Sequence, residues 1–516
     1  MVAQRHDRPA PSSAQLGPTL LGTLARWAAQ VRFADLPKPV VELGISQIIA
    51  QIAAIRAGLQ HSLGSRLVRA YGPVLQRDPR HSAATLAAVG SWLNLDDTAY
   101  AGHLAPSTVG VPLAYAATGR IDGRTLLTAV IVANECAARI TAAATLGPLR
   151  GQSAMHTHLV GAVAGRFACV KAPAKCWADA MSLALAAPPW PVMHGFLGGE
   201  AKLLHVLVPV RSAMDACDGA IAGLTGPADL LEHPRGFLAR FASVPVPQVV
   251  TDLLGQRWHT ETLSFKLRPG GPGIDAAVDC AIALHREVDP AAIVDVEVAA
   301  SVYTLFAAEQ VGDYLDGPAS PLSSLLLSTG YPVATALLTG DLTVADFDHP
   351  AIADPARWTL ARRVRLRHDP AMTSALLESV APFGAALLQA GERARPWLRQ
   401  FVGDELAGSA LPDGCGVGTD GTAQPDELPP ALVSFRHAAK ATPARLVVWL
   451  NDGRSVSREQ MIPIGGAGPE TRRSHRELVR AKFAASGGAA DVAEEFEHLA
   501  EITPRRLAGL VRDALR

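Results

Sequence analysis

Hydrophobic positions recur at helical spacing through the first half of the chain. From Leu16 to about Phe265, long Ala- and Leu-rich stretches repeat with a period near 3.6 residues and are separated by Gly or Pro, with little strict alternation. Ala-rich helices can approach one another closely. The pattern therefore predicts a large all-helical domain over residues 16–266.

The pattern of hydrophobic positions changes after Pro269, where hydrophobic and polar residues alternate with a period of two in short runs. Such alternation is typical of half-buried strands, and it is found in Ile293–Val298, Arg363–Arg367 and Arg445–Leu450. The last run leads through Asn-Asp-Gly, a hairpin-type turn, into a further strand candidate.

Helical patterns separate these strand candidates, notably Ser323–Leu338 and Ser374–Gln389. The mixture predicts a smaller α+β domain over residues 267–462. Leu411–Pro430 is rich in Gly, Asp and Pro and lacks hydrophobic periodicity, which predicts an exposed loop. After Pro469 the pattern is helical again, so residues 469–516 are expected to rejoin the first domain. The predicted fold class is mainly α with an α+β second domain.

Composition narrows the classes of partner. In 516 residues, 49% are hydrophobic and 18% charged, and 47 Lys plus Arg nearly balance 48 Asp plus Glu. No strong overall field recruits a polyanion or an acidic membrane, so we expect a small-molecule substrate and no nucleic acid or membrane partner.

The cysteines and the apolar stretches favour a reduced, cytoplasmic protein. The six cysteines lie far apart, and none has the short spacing of a zinc knuckle or a redox dithiol. The first fifteen residues lack an apolar core preceded by positive charge, unlike a secretory signal. Leu126–Leu146 is the best candidate for a membrane span, but Asn134, Glu135 and Arg139 interrupt it, which predicts a buried helix instead.

Candidate chemistry is densest in the run Asn94-Leu95-Asp96-Asp97-Thr98, with His103 five residues on. One interpretation is that these are solvated carboxylates that cap a helix end. The other is that a carboxylate and a hydroxyl position a substrate or orient a base. A loop imidazole such as His103 suits a catalytic role better than one in the core.

Other candidates recur further along the chain. His156 and His158 are two residues apart and point different ways on a helix, which makes a shared metal ion improbable. Lys202 either snorkels from an apolar helix or, if held near a cleft, binds a carboxylate or acts with a lowered pKa. The cations Lys266 and Arg268 at the domain junction would suit an anionic ligand, and Tyr331 could supply a phenol there.

The order of several segments resembles the MmgE/PrpD family, which includes 2-methylcitrate dehydratase, cis-aconitate decarboxylase and an iminodisuccinate epimerase. The matching pieces span most of the chain: Asp96-Asp97-Thr98 with His103 and Pro106-Ser107; Thr118-Gly119-Arg120 with Gly123-Arg124, Glu135 and Arg139; Lys202-Leu203-Leu204-His205; Gly223–Pro227 with Leu231-Glu232 and Gly236-Phe237; Ser264-Phe265-Lys266; Ser328–Tyr331; and Glu477-Leu478 with Lys482-Phe483.

The resemblance implies a helical domain built from both termini, an α+β lid domain, and chemistry without cofactor or metal in a cleft of a homodimer. Carried over by position, it implies catalytic roles for His103, His156, Lys202 and Tyr331, with His156 preferred over His158. It implies substrate contacts from Thr98 and Lys266, to which Asn94, Asp97, His158 and Arg268 are added as neighbouring candidates.

The chain also departs from the family pattern. Asn94 stands where family members carry an acidic residue, and an amide cannot act as a carboxylate base. The family histidine a few residues after Lys266 is absent, and the segment from about 371 to 430 is longer than usual. We therefore expect a divergent member that acts on a different carbonyl or carboxylate compound, in a biosynthetic pathway.

The working hypothesis is proton abstraction beside a carbonyl or carboxylate by a lyase, that is a dehydratase or a decarboxylase. One alternative is a noncatalytic ligand-binding or scaffolding relative that kept the fold. Another is an isomerase or epimerase with two bases. Convergence of His103, Lys202, Lys266 and Tyr331 in one cleft would separate the catalytic reading from the noncatalytic one.

Overall fold

The fold is mainly α-helical with a small α+β region, as the sequence predicts. The computed structural model describes residues 18–147, 155–189, 192–271, 273–404, 407 and 429–516. Residues 411–428 of the predicted loop Leu411–Pro430 lie outside the described residues.

Apolar helices with Ala- and Leu-rich buried faces make up the first half. They are α1 (Leu20–Gln30), α2 (Lys38–Gln60), α3 (Ser62–Tyr71), α4 (Pro79–Val89), α5 (Ala105–Thr108), α6 (Gly110–Ala116), α7 (Gly123–Ala143), α8 (Met155–Val170), α9 (Ala174–Ala186), α10 (Met193–Leu197), α11 (Leu207–Ile221) and α12 (Phe237–Phe241).

Two of these helices, α2 and α7, are long and apolar enough to cross a membrane by length and composition alone. Both are core helices here, because 78% of the apolar window of α2 and 94% of that of α7 are buried within the fold. The prediction that the apolar stretch near Leu126 forms a buried helix is confirmed. Asp122 fixes the start of α7 by accepting a hydrogen bond from the Thr125 amide.

The C-terminal helices pack against α2. They are α22 (Pro469–Ala485), α23 (Ala490–Glu497) and α24 (Pro504–Ala514). The Ser46 hydroxyl lies 2.7 Å from His475 Nδ1, and Arg56 of α2 donates to the carbonyls of Ser486 and Ala514. Val479 and Phe483 are consequently buried in the same hydrophobic core as the N-terminal helices.

A four-stranded sheet occupies the middle of the chain, in the order β4-β3-β5-β6. Its strands are β3 (Ile293–Ala300), β4 (Val364–His368), β5 (Ala444–Leu450) and β6 (Ser455–Gln460). Strand β3 runs parallel to β4 and antiparallel to β5, and β5 runs antiparallel to β6. The strands predicted from alternation are therefore confirmed, and Gly453 adopts the positive φ of 86° that the predicted turn requires.

The remaining helices lie between these strands. They are α13 (Asp275–His285), α14 (Val302–Val311), α15 (Leu322–Leu327), α16 (Gly330–Thr339), α17 (Pro355–Ala361), α18 (Pro370–Glu378), α19 (Gly384–Ala390), α20 (Arg395–Val402) and α21 (Pro430–Val433).

Two helices predicted as continuous are broken, so those predictions are wrong in detail. The stretch predicted at 323–338 divides into α15 and α16 at Ser328, and the stretch predicted at 374–389 divides into α18 and α19. In the second case Pro382 lies in the gap, and proline lacks the N–H that a continuous helix needs.

The segment from α18 to α20 packs on the helical half of the molecule. Phe383 and Trp397 share a hydrophobic cluster with Leu146 and Val246. Trp397 Nε1 also donates to the Gly147 carbonyl at 3.1 Å. This segment therefore connects the α+β region to the helical region.

A buried ionic network ties α7 to the loop that follows α12. The Glu135 carboxylate, fully buried, accepts hydrogen bonds from the backbone amides of His259 and Thr260, each at 2.9 Å. Arg139, equally buried, donates to the carbonyls of Val249 and Arg257. Glu135 and Arg139 interrupt the apolar pattern of α7. Through these contacts they fix the position of the loop that leads to Ser264 and Lys266.

We predict that Glu135→Ala lowers the free energy of unfolding by about 3–5 kcal/mol, because it leaves the Arg139 charge buried without compensation. Urea unfolding followed by circular dichroism measures the change. The matched control is Glu392→Gln, which removes an exposed ion pair with Arg395 and should change stability little. Equal losses in the two variants would contradict the structural role given to the network.

Candidate active site

The site is organised around the irregular segment that follows α4. Asp96 and Asp97 are fully buried in it, and Trp92 is nearly so. Asn94 adopts a left-handed backbone with φ of 51°, a conformation that Asn tolerates better than most residues. Asn therefore suits this backbone conformation, at the position where the resemblance led us to expect an acidic residue.

A two-residue hairpin brings His103 back to this segment. Strand β1 (Thr98–Ala99) pairs with β2 (Gly102–His103), so that Thr98 lies opposite His103. The Asp96 Oδ2 atom lies 2.7 Å from His103 Nδ1, and the histidine side chain keeps 17% of its surface exposed. The carboxylate thus orients an imidazole whose Nε2 atom is directed elsewhere.

Four buried lysines surround the same segment. Three of them donate to it directly: Lys202 to the Trp92 carbonyl at 2.7 Å, Lys482 to the Leu95 carbonyl at 2.6 Å, and Lys440 to Thr98 Oγ1 at 2.8 Å. The fourth, Lys266, forms an ion pair with Asp275 at 2.8 Å. We call Lys202, Lys266, Lys440 and Lys482 the lysine cluster.

The chain uses lysine sparingly, which makes this cluster specific. The sequence contains seven lysines and forty arginines. The three lysines outside the cluster, Lys38, Lys171 and Lys175, are exposed, whereas all four in it are at most 6% exposed. Burying an ammonium group is costly unless it is paired. Such a concentration of buried cations favours an anionic ligand.

Burial shapes the acid–base properties of the cluster. It lowers the pKa of Lys202 to about 8, against an opposing effect of Asp96, and it lowers the pKa of Lys440 to about 8, with a further lowering from Lys266. Burial also lowers the pKa of Lys482. The charge of Lys266 acts on each of these three amines, so the four side chains form one electrostatic unit.

Asp97 is the acidic counterpart of this unit. Burial raises the pKa of Asp97 to about 7, although the charge of Lys482 lowers it. The Lys266 backbone N–H, acting as a hydrogen-bond donor, lowers it further. A carboxyl group in this state can gain or lose a proton near neutral pH.

His158, rather than His156, lies beside the imidazole of His103. The charge of His103 acts on His158, whose pKa is lowered well below its usual value, first by burial and then by His205 and His103. His156 packs instead against the rings of Phe237 and Phe241, and burial alone lowers its pKa to about 4. The preference for His156 is thus not supported by its surroundings.

Two further candidates are engaged in contacts of their own. Tyr331 is packed against Trp358, and its hydroxyl donates to the Asp346 carbonyl at 2.5 Å. Arg268 forms ion pairs with Asp279 and Asp341. The structure therefore brings His103, Lys202 and Lys266 together with Asp97, Thr98 and His158, but not Tyr331. Arg268 is paired with Asp279, a carboxylate on which the charge of Lys266 also acts.

The sequence predicted that a carboxylate of this run could orient a base but did not assign Asp96 to His103, and it did not predict Lys440 or Lys482 as site residues. The sequence shows that lysine is scarce, with seven in the chain, but only the structure shows that four of the seven are buried. A cavity of about 300 Å³ adjoins the cluster at Lys202 and Trp92. Its other wall includes Pro321 and Leu326 of the α+β region, so the cavity lies between the two regions.

Among the described residues, no group of three or more His, Cys, Asp or Glu side chains could hold a metal ion. The expectation of chemistry without metal or cofactor stays a prediction.

Comparison with known protein families gives two matches. The model of the MmgE/PrpD N-terminal domain matches residues 22–249, and the model of the MmgE/PrpD C-terminal domain matches residues 271–395. Together they cover more than half of the 516 residues. No curated protein matches the chain. Lys266, Lys440 and Lys482 lie outside both matched ranges.

We predict that the stability difference between Lys202→Met and the unsubstituted protein depends on pH. The Lys202 pKa is about 8 in the folded chain and 10.5 as the ordinary value, so the folded state binds fewer protons between these pH values. The unsubstituted protein therefore gains stability relative to the variant as pH rises from 8 to 10.5, by about 3 kcal/mol, and keeps the full penalty below pH 8.

Urea unfolding of both proteins at several pH values measures this difference. Lys38→Met, which removes an exposed lysine, is the matched control and should show no such trend. A difference for Lys202→Met that stays constant from pH 8 to 10.5 would contradict the perturbed state of this amine.

Proposed function

The chain belongs to the MmgE/PrpD family, whose members are generally dehydratases or other lyases. From that premise we propose that the protein removes a proton next to a carboxylate or carbonyl group of a small anionic substrate. One observation carries the proposal. His103, which Asp96 orients, lies at the irregular segment after α4, and the four buried lysines of the lysine cluster surround that segment.

His103 is the proposed general base. A neutral imidazole carries a proton on one nitrogen and a lone pair on the other, and an ionised carboxylate can only accept a hydrogen bond. The contact with Asp96 therefore places the proton on Nδ1 and the lone pair on Nε2. The substrate C–H bond breaks, its proton goes to Nε2, and its electron pair delocalises onto the adjacent carbonyl or carboxylate oxygens.

The lysine cluster would stabilise the charge that this step creates. Lys202, Lys266 and Lys482 are buried, where electrostatic interactions are stronger than in water, and their donors are held in place before the reaction. Preorganised charge of this kind is commonly the largest contribution to catalysis. Anionic substrates would also be drawn to the same groups.

Lys202 is the proposed general acid. Burial lowers the pKa of its ammonium group to about 8. A group whose pKa lies this close to neutral pH can readily give up a proton. In a dehydration, the substrate C–O bond breaks, the oxygen leaves as water with the Lys202 proton, and the carbon electron pair forms the new double bond. We give this role to Lys202 rather than Tyr331, because the Tyr331 hydroxyl already donates to Asp346.

One observation favours an isomerase or epimerase as a second candidate. His158 Nε2 is buried without a hydrogen-bond partner within the described residues, while Nδ1 faces the Ser107 hydroxyl at 3.1 Å. Burial keeps this imidazole neutral. It could therefore act as a second base near His103. The homodimer, the cytoplasmic location and the absence of a nucleic-acid or membrane partner stay predictions.

Proton exchange with solvent tests the proposal directly. We would incubate the protein with a panel of hydroxy and unsaturated di- and tricarboxylates in D₂O and follow the C–H signals by proton NMR. Exchange with formation of an alkene or loss of carbon dioxide supports a lyase, and exchange with recovery of the substrate or its epimer supports an isomerase. The absence of both with every compound would favour the noncatalytic alternative.

We predict that His103→Gln lowers kcat by about 10²- to 10⁴-fold, since the proton-transferring group is lost. Asp96→Asn should also lower kcat while leaving KM nearly unchanged, because the amide no longer fixes the imidazole tautomer. Steady-state kinetics measures both effects. Both variants should keep a melting temperature within a few degrees, whereas activity lost only in parallel with stability would point to a structural role.

A further inference from the structure

Lys440 is a site residue that neither the sequence nor the family match assigns. It is 5% exposed and lies outside both matched ranges, between α21 and β5. Its side chain extends from the α+β region to the helical region, where it reaches Thr98. The two regions thus meet at this contact.

Backbone contacts on both sides hold Lys440 in place. The Lys440 amide donates to the Ala467 carbonyl at 2.9 Å, and the Ala467 amide donates to the Ser264 hydroxyl at 3.0 Å. Ser264 in turn exchanges two backbone hydrogen bonds with Thr98. With the Lys440 Nζ to Thr98 Oγ1 contact, these four residues form a closed ring of hydrogen bonds. The ammonium and the hydroxyl are therefore preorganised relative to each other.

The direction of the Lys440 to Thr98 hydrogen bond follows from the chemistry of its groups. An ammonium group has three donors and no acceptor, so Thr98 Oγ1 must accept here. The Thr98 hydroxyl proton is then free to be donated, and no described residue accepts it. Lys440 has further N–H donors, and no carboxylate in the described part of the chain lies within ion-pair distance of it. Two adjacent donors, one of them charged, thus converge without an anionic partner.

Neighbouring charge reinforces this arrangement. Lys266 acts electrostatically on Lys440, but its own ammonium is held by Asp275. Lys202 is influenced by Lys266 and by Asp96, whereas the charges acting on Lys440 are those of Lys266 and Asp275. Lys266 therefore acts on both amines. Lys202 and Lys440 contact different points of the segment, the Trp92 carbonyl and the Thr98 hydroxyl.

We propose that Lys440 and Thr98 form a donor pair that binds one carboxylate of a substrate with two or more carboxylates, and that this pair determines the specificity of this chain. The inference rests on the proposed function, since it names a binding contact within the same site. It adds a residue from a segment that lies outside the family match.

Calorimetric titration with tricarballylate and succinate, two unreactive polycarboxylates, tests the pair. The unsubstituted protein should bind at least one of them, and Lys440→Met should weaken that binding about 10- to 100-fold, the effect of losing a charge-assisted hydrogen bond. Thr98→Val should weaken it as well, and Thr98→Ser, which keeps the hydroxyl, should largely retain it. The double variant should lose less than the sum of the single losses, because the two groups act as one unit.

Lys38→Met is the matched control and should bind as the unsubstituted protein does. If Lys440→Met fails to fold, the Thr98→Val and Thr98→Ser pair decides the question alone. Unchanged affinity in Lys440→Met, equal affinities in the two Thr98 variants, or no binding of either compound by the unsubstituted protein would each overturn the inference.

The outcomes also separate this inference from the proposed function. Carboxylate binding that depends on Lys440, in a protein that shows no exchange or turnover, would overturn the proposed reaction and leave the binding pair in place. Turnover with the same KM in Lys440→Met and the unsubstituted protein would overturn the binding pair and leave the reaction in place.

Discussion

The structure depends on one constraint: four ammonium groups are buried around a single irregular segment of seven residues. Burial disfavours each charge, and the lowered pKa values of Lys202 and Lys440 are the direct sign of that cost. Only Lys266 has a carboxylate within ion-pair distance among the described members of the cluster. A protein that served stability alone would place apolar side chains here. The arrangement is consistent with a site kept for binding and transforming an anion.

The surrounding fold supplies the rigidity that such a site needs. Glu135 and Arg139 fix the loop that leads to Lys266, the C-terminal helix α22 presents Lys482, and the α+β region presents Lys440. Each lysine therefore comes from a different part of the sequence. Their positions relative to His103 are set by helix packing and by the sheet, so the chemistry is tied to the docking of the two regions.

Much of the fold follows from local patterns in the sequence, because helical and strand periodicity are local properties. Burial of α7 and the pairing of β5 with β6 were both predictable in this way. The breaks before α16 and α19 were not, because they depend on tertiary packing and on a single proline. In the site, the order of segments identified His103, Lys202 and Lys266. The structure gives Tyr331 and His156 surroundings other than the lysine cluster, and Lys440 was not predicted, because side-chain direction and contacts between residues more than 300 apart leave no local signal.

The central claim is that the buried amines are perturbed and bind anions, and the most direct measurement is a pH titration of the lysine side chains. With only seven lysines, ¹³Cε-labelled lysine gives few NMR resonances, which Lys→Met variants can assign. We expect the resonances of Lys202 and Lys440 to titrate near pH 8 and to shift to higher pH when tricarballylate is added. A spectrum in which no lysine titrates near pH 8, or in which tricarballylate shifts none of the buried ones, would contradict the account.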